Sequence, residues 1–109
     1  MNQTGKDVSI NKAISLLNEG HIKKSLEEAL SARKKYPGEP FIYNLLGVLY
    51  FQIGNYEDSI RNYSEAIKLN PGYFEAYNNV GVAHTKWRKT NRAIECFDKA
   101  IQIIPSYAE

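Results

Sequence analysis

The prolines constrain this chain most. Pro37, Pro71 and Pro105 stand 34 residues apart, and each is followed by a small residue: Gly38, Gly72 and Ser106. A fixed period of that size marks a stacked repeat, in which each unit is one supersecondary element that buries its apolar face only against its neighbours. If each unit closes two residues after its proline, the units run 6–39, 40–73 and 74–107 inside one domain spanning 1–109. Pro105-Ser106-Tyr107-Ala108-Glu109 echoes Pro71-Gly72-Tyr73-Phe74-Glu75, so a fourth unit would start at 108.

Within a unit, apolar residues recur at steps of three and four, the spacing of one helical face. In the second unit Tyr43, Leu46, Gly47, Tyr50 and Ile53 form one such stripe, and Ile60, Tyr63, Ala66 and Ile67 form another. Gly54-Asn55 between them supplies a left-handed stop and a new N-cap. Asn70-Pro71-Gly72 closes the unit, because proline disfavours helix at the residue before it and lacks a donor. Ala13, Gly47 and Gly81 share one repeat position, and Ala32, Ala66 and Ala100 share another. Small residues there let helices approach closely while aromatics fill the space beside them. The expected fold is therefore all-α, a solenoid of three antiparallel helical hairpins turning at 18–22, 36–40, 53–56, 70–73 and 88–91. The last turn carries Arg88-Lys89 where the second unit has Gly54-Asn55, leaving Thr90 or Asn91 to cap the next helix.

The period and these residues resemble the tetratricopeptide repeat, whose pattern is W-x2-L-G-x2-Y…A-x3-F…P. The second unit matches with Tyr43, Leu46, Gly47, Tyr50, Ser59, Tyr63, Ala66 and Pro71, and the third with Tyr77, Val80, Gly81, His84, Ala93, Phe97, Ala100 and Pro105. The first keeps the small residues (Ala13, Gly20, Ser25, Ala29, Ala32) and has lost the aromatics. The resemblance implies a right-handed superhelix whose concave wall comes from the first helix of each hairpin. Family ligands are extended peptides or helices lying in that groove. The groove-facing positions fall on Asp7, Ile10, Ile14, Leu17 and Asn18; on Phe41, Asn44, Val48, Phe51 and Gln52; and on Glu75, Asn78, Val82, Thr85 and Lys86. Of these, Ile10, Ile14, Leu17, Phe41, Val48, Phe51 and Val82 make the wall apolar, as binding surfaces are. Asn44 and Asn78 each carry an amide that both donates to and accepts from a peptide backbone. Gln52 and Lys86 complete the expected binding set. The family members that grip a terminal carboxylate do so with lysine, arginine and asparagine; here those positions hold Ile10, Ile14, Leu45, Glu75 and Asn79, so no carboxylate clamp is expected.

Composition narrows the function classes. Fourteen basic residues against twelve acidic leave a net charge of +2, too balanced for a nucleic-acid footprint. No run approaches the ~20 apolar residues of a membrane span, and the opening residues lack a leader's apolar stretch, so a cytoplasmic protein with no membrane partner is expected. One cysteine, Cys96, fits a reducing compartment and reads as an incidental thiol on a partly exposed outer face, where the other units have Glu28 and Asn62. Two histidines cannot build a zinc site with it alone: His21 reads as a solvated turn residue and His84 as a core residue in an aromatic slot. No phosphate-cradling or nucleophile-elbow motif occurs. Glu27-Glu28 and Glu57-Asp58 read as helix starts complementing the dipole. Two basic clusters (Lys23, Lys24, Arg33, Lys34 and Lys35; Lys86, Arg88, Lys89 and Arg92) read as solvated faces. No catalytic residue, metal or cofactor is expected.

The function expected is a protein–protein interaction scaffold. The alternative is a substrate-recruiting arm of a larger enzyme, such as a glycosyltransferase or sulfotransferase. The apolar end of the third unit, Ile101, Ile103 and Ile104, adds the expectation of a homodimer through the C-terminal hairpin or the groove.

Overall fold

The computed structural model describes residues 4–87 and 90–103, and the side chains of all of these but 90–94. Six helices follow one another: α1 (Gly5–Asn18), α2 (Ile22–Lys35), α3 (Pro40–Gln52), α4 (Tyr56–Leu69), α5 (Phe74–Lys86) and α6 (Thr90–Ile103). Among the described residues there is no strand. The first four turns fall where the sequence puts them. Arg88 and Lys89 lie outside the described residues, and α6 already contains Thr90 and Asn91, so neither is the residue preceding the helix.

The turns have identifiable causes. After α1 and after α3, Gly20 and Gly54 sit at φ 83° and 80°, the left-handed region that side chains avoid. In both, two amides fold back onto the helix end: His21 N donates to Leu16 O at 2.8 Å and Asn55 N to Tyr50 O at 2.9 Å, with Gly20 and Gly54 closing the inner bond. This is the Schellman arrangement. Asn55 then caps α4, accepting from Asp58 N at 3.2 Å and donating to the Asp58 carboxylate at 2.8 Å. His21 stands in the same place before α2 and makes no such bond. Glu57 and Asp58 do lie in the first turn of α4, but the first turn of α2 holds no acid. Glu27 and Glu28 come more than a turn later, where Glu28 pairs with Lys12 at 3.4 Å, so their role at a helix start is not borne out.

Each hairpin packs on itself, α2 packs on α3, and α4 on α5, so the units stack in chain order. The molecule measures 39 × 30 × 23 Å, and its radius of gyration of 14.1 Å exceeds the ~13 Å of a compact domain of this length. One core cluster joins Ala13, Ala29 and Ala32 to Ile42, Leu45, Leu46 and Leu49. A second joins Tyr63, Val80 and Ala83, with Val48, Phe51, Ile67 and Cys96 against it. α3 contributes to both.

The shared repeat positions are the tightest points. A Cβ at Gly47 would enter the Tyr63 ring, and one at Gly81 would lie 2.8 Å from Phe97 Cε1. In the first hairpin the facing residue is Ala29, and Ala13 is accommodated there fully buried. Ala32, Ala66 and Ala100 are buried as the register requires. A further link was not read from the sequence. Ser25 Oγ donates to Ala13 O at 2.6 Å and Ser59 Oγ to Gly47 O at 2.7 Å, so a buried hydroxyl bridges the two helices at the same place in the first two hairpins. In the third, whose equivalent residue is Ala93, the Gly81 carbonyl accepts from Thr85 Oγ1 at 2.9 Å instead.

Candidate peptide-binding groove

α3 touches α5 directly, and between them opens a cleft of about 180 Å³ lined by Val48, Phe51, Tyr63, Asn79 and Val82. Val48 and Phe51 come from the face of α3 that the three–four spacing sets aside from its core face, and Asn79 and Val82 from α5. Tyr63 of α4 forms the floor because Gly47 leaves its ring room. That ring is only 3% exposed, and burial pushes its phenol up to about 12, against the opposing pull of a hydrogen bond with Ser59. Phe51 is fixed by an edge-to-face contact with Tyr56, ring centroids 5.3 Å apart.

The expected groove residues separate into two groups. Ile10, Ile14 and Leu17 of α1 are half-buried against the first core cluster. Each keeps part of its surface open while packing on the core. Phe41 and Val82 are well exposed, at 41% and 39%, and Val48 and Phe51 are half-buried around the cleft. Gln52 and Lys86 are exposed at the far ends of α3 and α5.

The two asparagines also differ. Asn44 Oδ1 accepts from Asn79 Nδ2 at 3.2 Å, a bond that ties α3 to α5. Burial, then Glu75, raise the Tyr73 phenol above its usual value, while Asn44 pulls it the other way. Asn44 therefore helps to set the stacking of one hairpin on the next. Asn78 is half-buried, and none of the described residues bonds its amide.

Comparison with known proteins agrees with this geometry. A TPR repeat model matches residues 47–86, and tetratricopeptide repeat models match 74–107 and 10–60, so that together they run from 10 to 107. The chain belongs to the tetratricopeptide-repeat family. No curated protein matches it in sequence. Among solved structures it is similar to MamA (20% identity, TM-score 0.89), covering 98% of this chain and 63% of that one. It is also similar to the second TPR of Spaghetti (RPAP3) bound to the HSP90 peptide SRMEEVD, at 19% identity and TM-score 0.86, covering 90% of this chain and 91% of that one. The first TPR of the same protein, bound to the same peptide, aligns at 17% identity and TM-score 0.90, covering 96% and 83%. The chain thus spans less than two thirds of MamA. At these identities the likeness is one of fold.

Viewed as a tetratricopeptide solenoid, the remaining candidates take ordinary structural places. His84 is 5% exposed in the slot that Tyr50 fills one repeat earlier, as its pattern position implies. His21 is exposed at its turn. Cys96 is partly exposed, as its polar equivalents imply, with its inner side packed against the second core cluster. Of those equivalents Asn62 is buried, donating to Asp58 O at 2.9 Å and accepting from Arg33 across the α2–α4 interface at 3.1 Å. Among the described residues no group of histidine, cysteine and carboxylates could hold a metal, and no helix is long and apolar enough to cross a membrane. Arg88, Lys89 and Ile104, and the side chain of Arg92, lie outside what is described.

Proposed function

We propose that this chain is a non-catalytic scaffold that holds a peptide or helix of a partner protein in the groove formed by α1, α3 and α5. The observation that carries this is the α3–α5 cleft: apolar walls of Val48, Phe51 and exposed Val82, on helices that also carry exposed Phe41 and an Asn78 amide with donor and acceptor to spare. The Spaghetti domains, bound to an HSP90 peptide, support peptide binding by a groove of this fold. A grip on a terminal carboxylate draws no support. Ile10 and Ile14 are apolar and half-buried, Leu45 is buried, Glu75 is acidic, and Asn79 is engaged with Asn44. Binding should therefore rest on apolar contact and backbone hydrogen bonds.

Partners captured on the immobilised chain and then titrated against variants test this. Asn78→Ala should weaken binding with helicity unchanged, Phe51→Ala should weaken it with a lower melting temperature because its ring also packs on the second core cluster, and affinity should vary little between low and high salt. Asn44→Ala should also weaken binding with a lower melting temperature, because it loosens α3 from α5. Affinity that collapses with salt and follows Lys86, Arg88 and Lys89 instead would place the site on the basic turn. Exposed Ile101 supports self-association through the third hairpin as part of the same reading. Light scattering of Ile101→Glu checks it, a dimer that persists in the variant arguing against that surface.

A further inference from the structure

We infer that the α3–α5 cleft takes one aliphatic or single-ring side chain of the partner, and that the partner carries an acidic residue on one side of this anchor and a basic residue on the other. The inference rests on the groove reading above and adds to it the chemistry of the ligand.

Size and lining choose the anchor. An apolar cavity of ~150 Å³ holds a benzene ring, and the cleft here is about 180 Å³. A leucine, isoleucine, methionine or phenylalanine side chain fills such a space. No charged group lines it. Of its two polar members, Asn79 is turned to Asn44 at 3.2 Å and Tyr63 is only 3% exposed, so the ligand meets mostly hydrocarbon. A charged anchor would be buried there without a partner, which is costly.

The order of charges comes from α5. Glu75, Asn78, Val82 and Lys86 follow at i, i+3, i+7 and i+11, one stripe on one helical face. It presents in turn an acid, an open amide, the exposed wall of the cleft and a base. Glu75 and Lys86 are both exposed, and no salt bridge among the described residues engages either. At 1.5 Å per residue, Lys86 lies ~6 Å beyond Val82 and Glu75 ~10 Å before it. An extended ligand advances ~3.3 Å per residue. Complementarity therefore asks for an acid two residues from the anchor on one side and a base three residues away on the other. The peptide backbone between base and anchor passes Asn78. Thr85 contributes little, since its hydroxyl is committed to Gly81 O.

A phage-displayed library of random dodecapeptides, panned on the intact chain, tests this. The strongest binders should share the pattern base-x-x-anchor-x-acid, read in either chain direction. In fluorescence anisotropy with the corresponding synthetic peptides, Val82→Glu should cost about tenfold or more in affinity, the loss expected when one large apolar side chain is shut out. Lys86→Glu should weaken those peptides and favour versions whose acid is replaced by lysine. Val82 and Lys86 are exposed, so unchanged circular dichroism is expected for both variants. Peptides weakened by Phe41→Ala and Asn78→Ala but lacking an apolar anchor, or indifferent to Val82→Glu, would overturn the inference and leave the groove standing. Selected peptides that ignore every groove variant would overturn both.

Discussion

At the scale of single residues, the pairing of Gly47 with Tyr63 shows how a repeat position is chosen by its neighbour. The ring occupies the space a Cβ would take, and Gly81 stands in the same relation to Phe97. Where the facing residue shrinks to Ala29, the glycine becomes Ala13. A mid-helix glycine costs ~1 kcal/mol relative to alanine, so it persists only where packing requires it. Gly47→Ala should accordingly destabilise by about 1–3 kcal/mol through overpacking. In a Tyr63→Ala background, which recreates the pair of the first hairpin, the same change should stabilise by up to about 1 kcal/mol. Chemical denaturation of the four proteins of this cycle measures the reversal; the same sign in both backgrounds would show that the ring is not what excludes the methyl. The register was legible in the sequence, because small residues recur at a fixed offset. Which aromatic each of them admits was not, since that depends on a contact between two helices.

At the scale of helices and turns, the first two hairpins share a chain reversal and differ in what caps the helix after it. Gly20 and Gly54 adopt the same left-handed conformation, but Asn55 caps α4 while His21 leaves α2 without a side-chain cap. Lys23 and Lys24 then sit in the first turn of α2, where the helix dipole disfavours positive charge. Asn55→Ala should cost about 1 kcal/mol. His21→Asn should gain a comparable amount, by giving α2 the cap that α4 has. Thermal melts decide both, and a His21→Asn protein no more stable than the parent would mean the backbone before α2 cannot present the side chain to the free amides. The Gly-Asn signal was readable at 54–55 because glycine and asparagine each have a local conformational reason to be there. The buried serine bridges were missed, since a serine among small residues gives no sign that its hydroxyl will meet a carbonyl twelve residues earlier.

At the scale of the molecule, stability should follow position in the stack. α3 is packed from both sides, buries Ile42, Leu45, Leu46, Gly47 and Leu49, and enters both core clusters. α1 buries Ala13 alone. In a stack held by nearest-neighbour contacts the ends open at lower cost than the middle. Hydrogen exchange should therefore be slowest in α3 and faster in α1; equal protection in both would show that the three hairpins open as one unit. The sequence by itself determined the period, the helices, the turns and the small–aromatic register, because each is written in spacing or in the backbone preferences of glycine, asparagine and proline. Only the tertiary structure decided which groove residues remain available. Ile10, Ile14 and Leu17 have the right spacing for a binding wall but are half-buried against the core, as Val48 and Phe51 are, and Asn44 is drawn into a bond between hairpins, while Phe41 and Val82 stay exposed. A helical pattern states which residues share a face. Whether that face is covered depends on how closely the next helix approaches, and that is set by side chains many residues away in the chain.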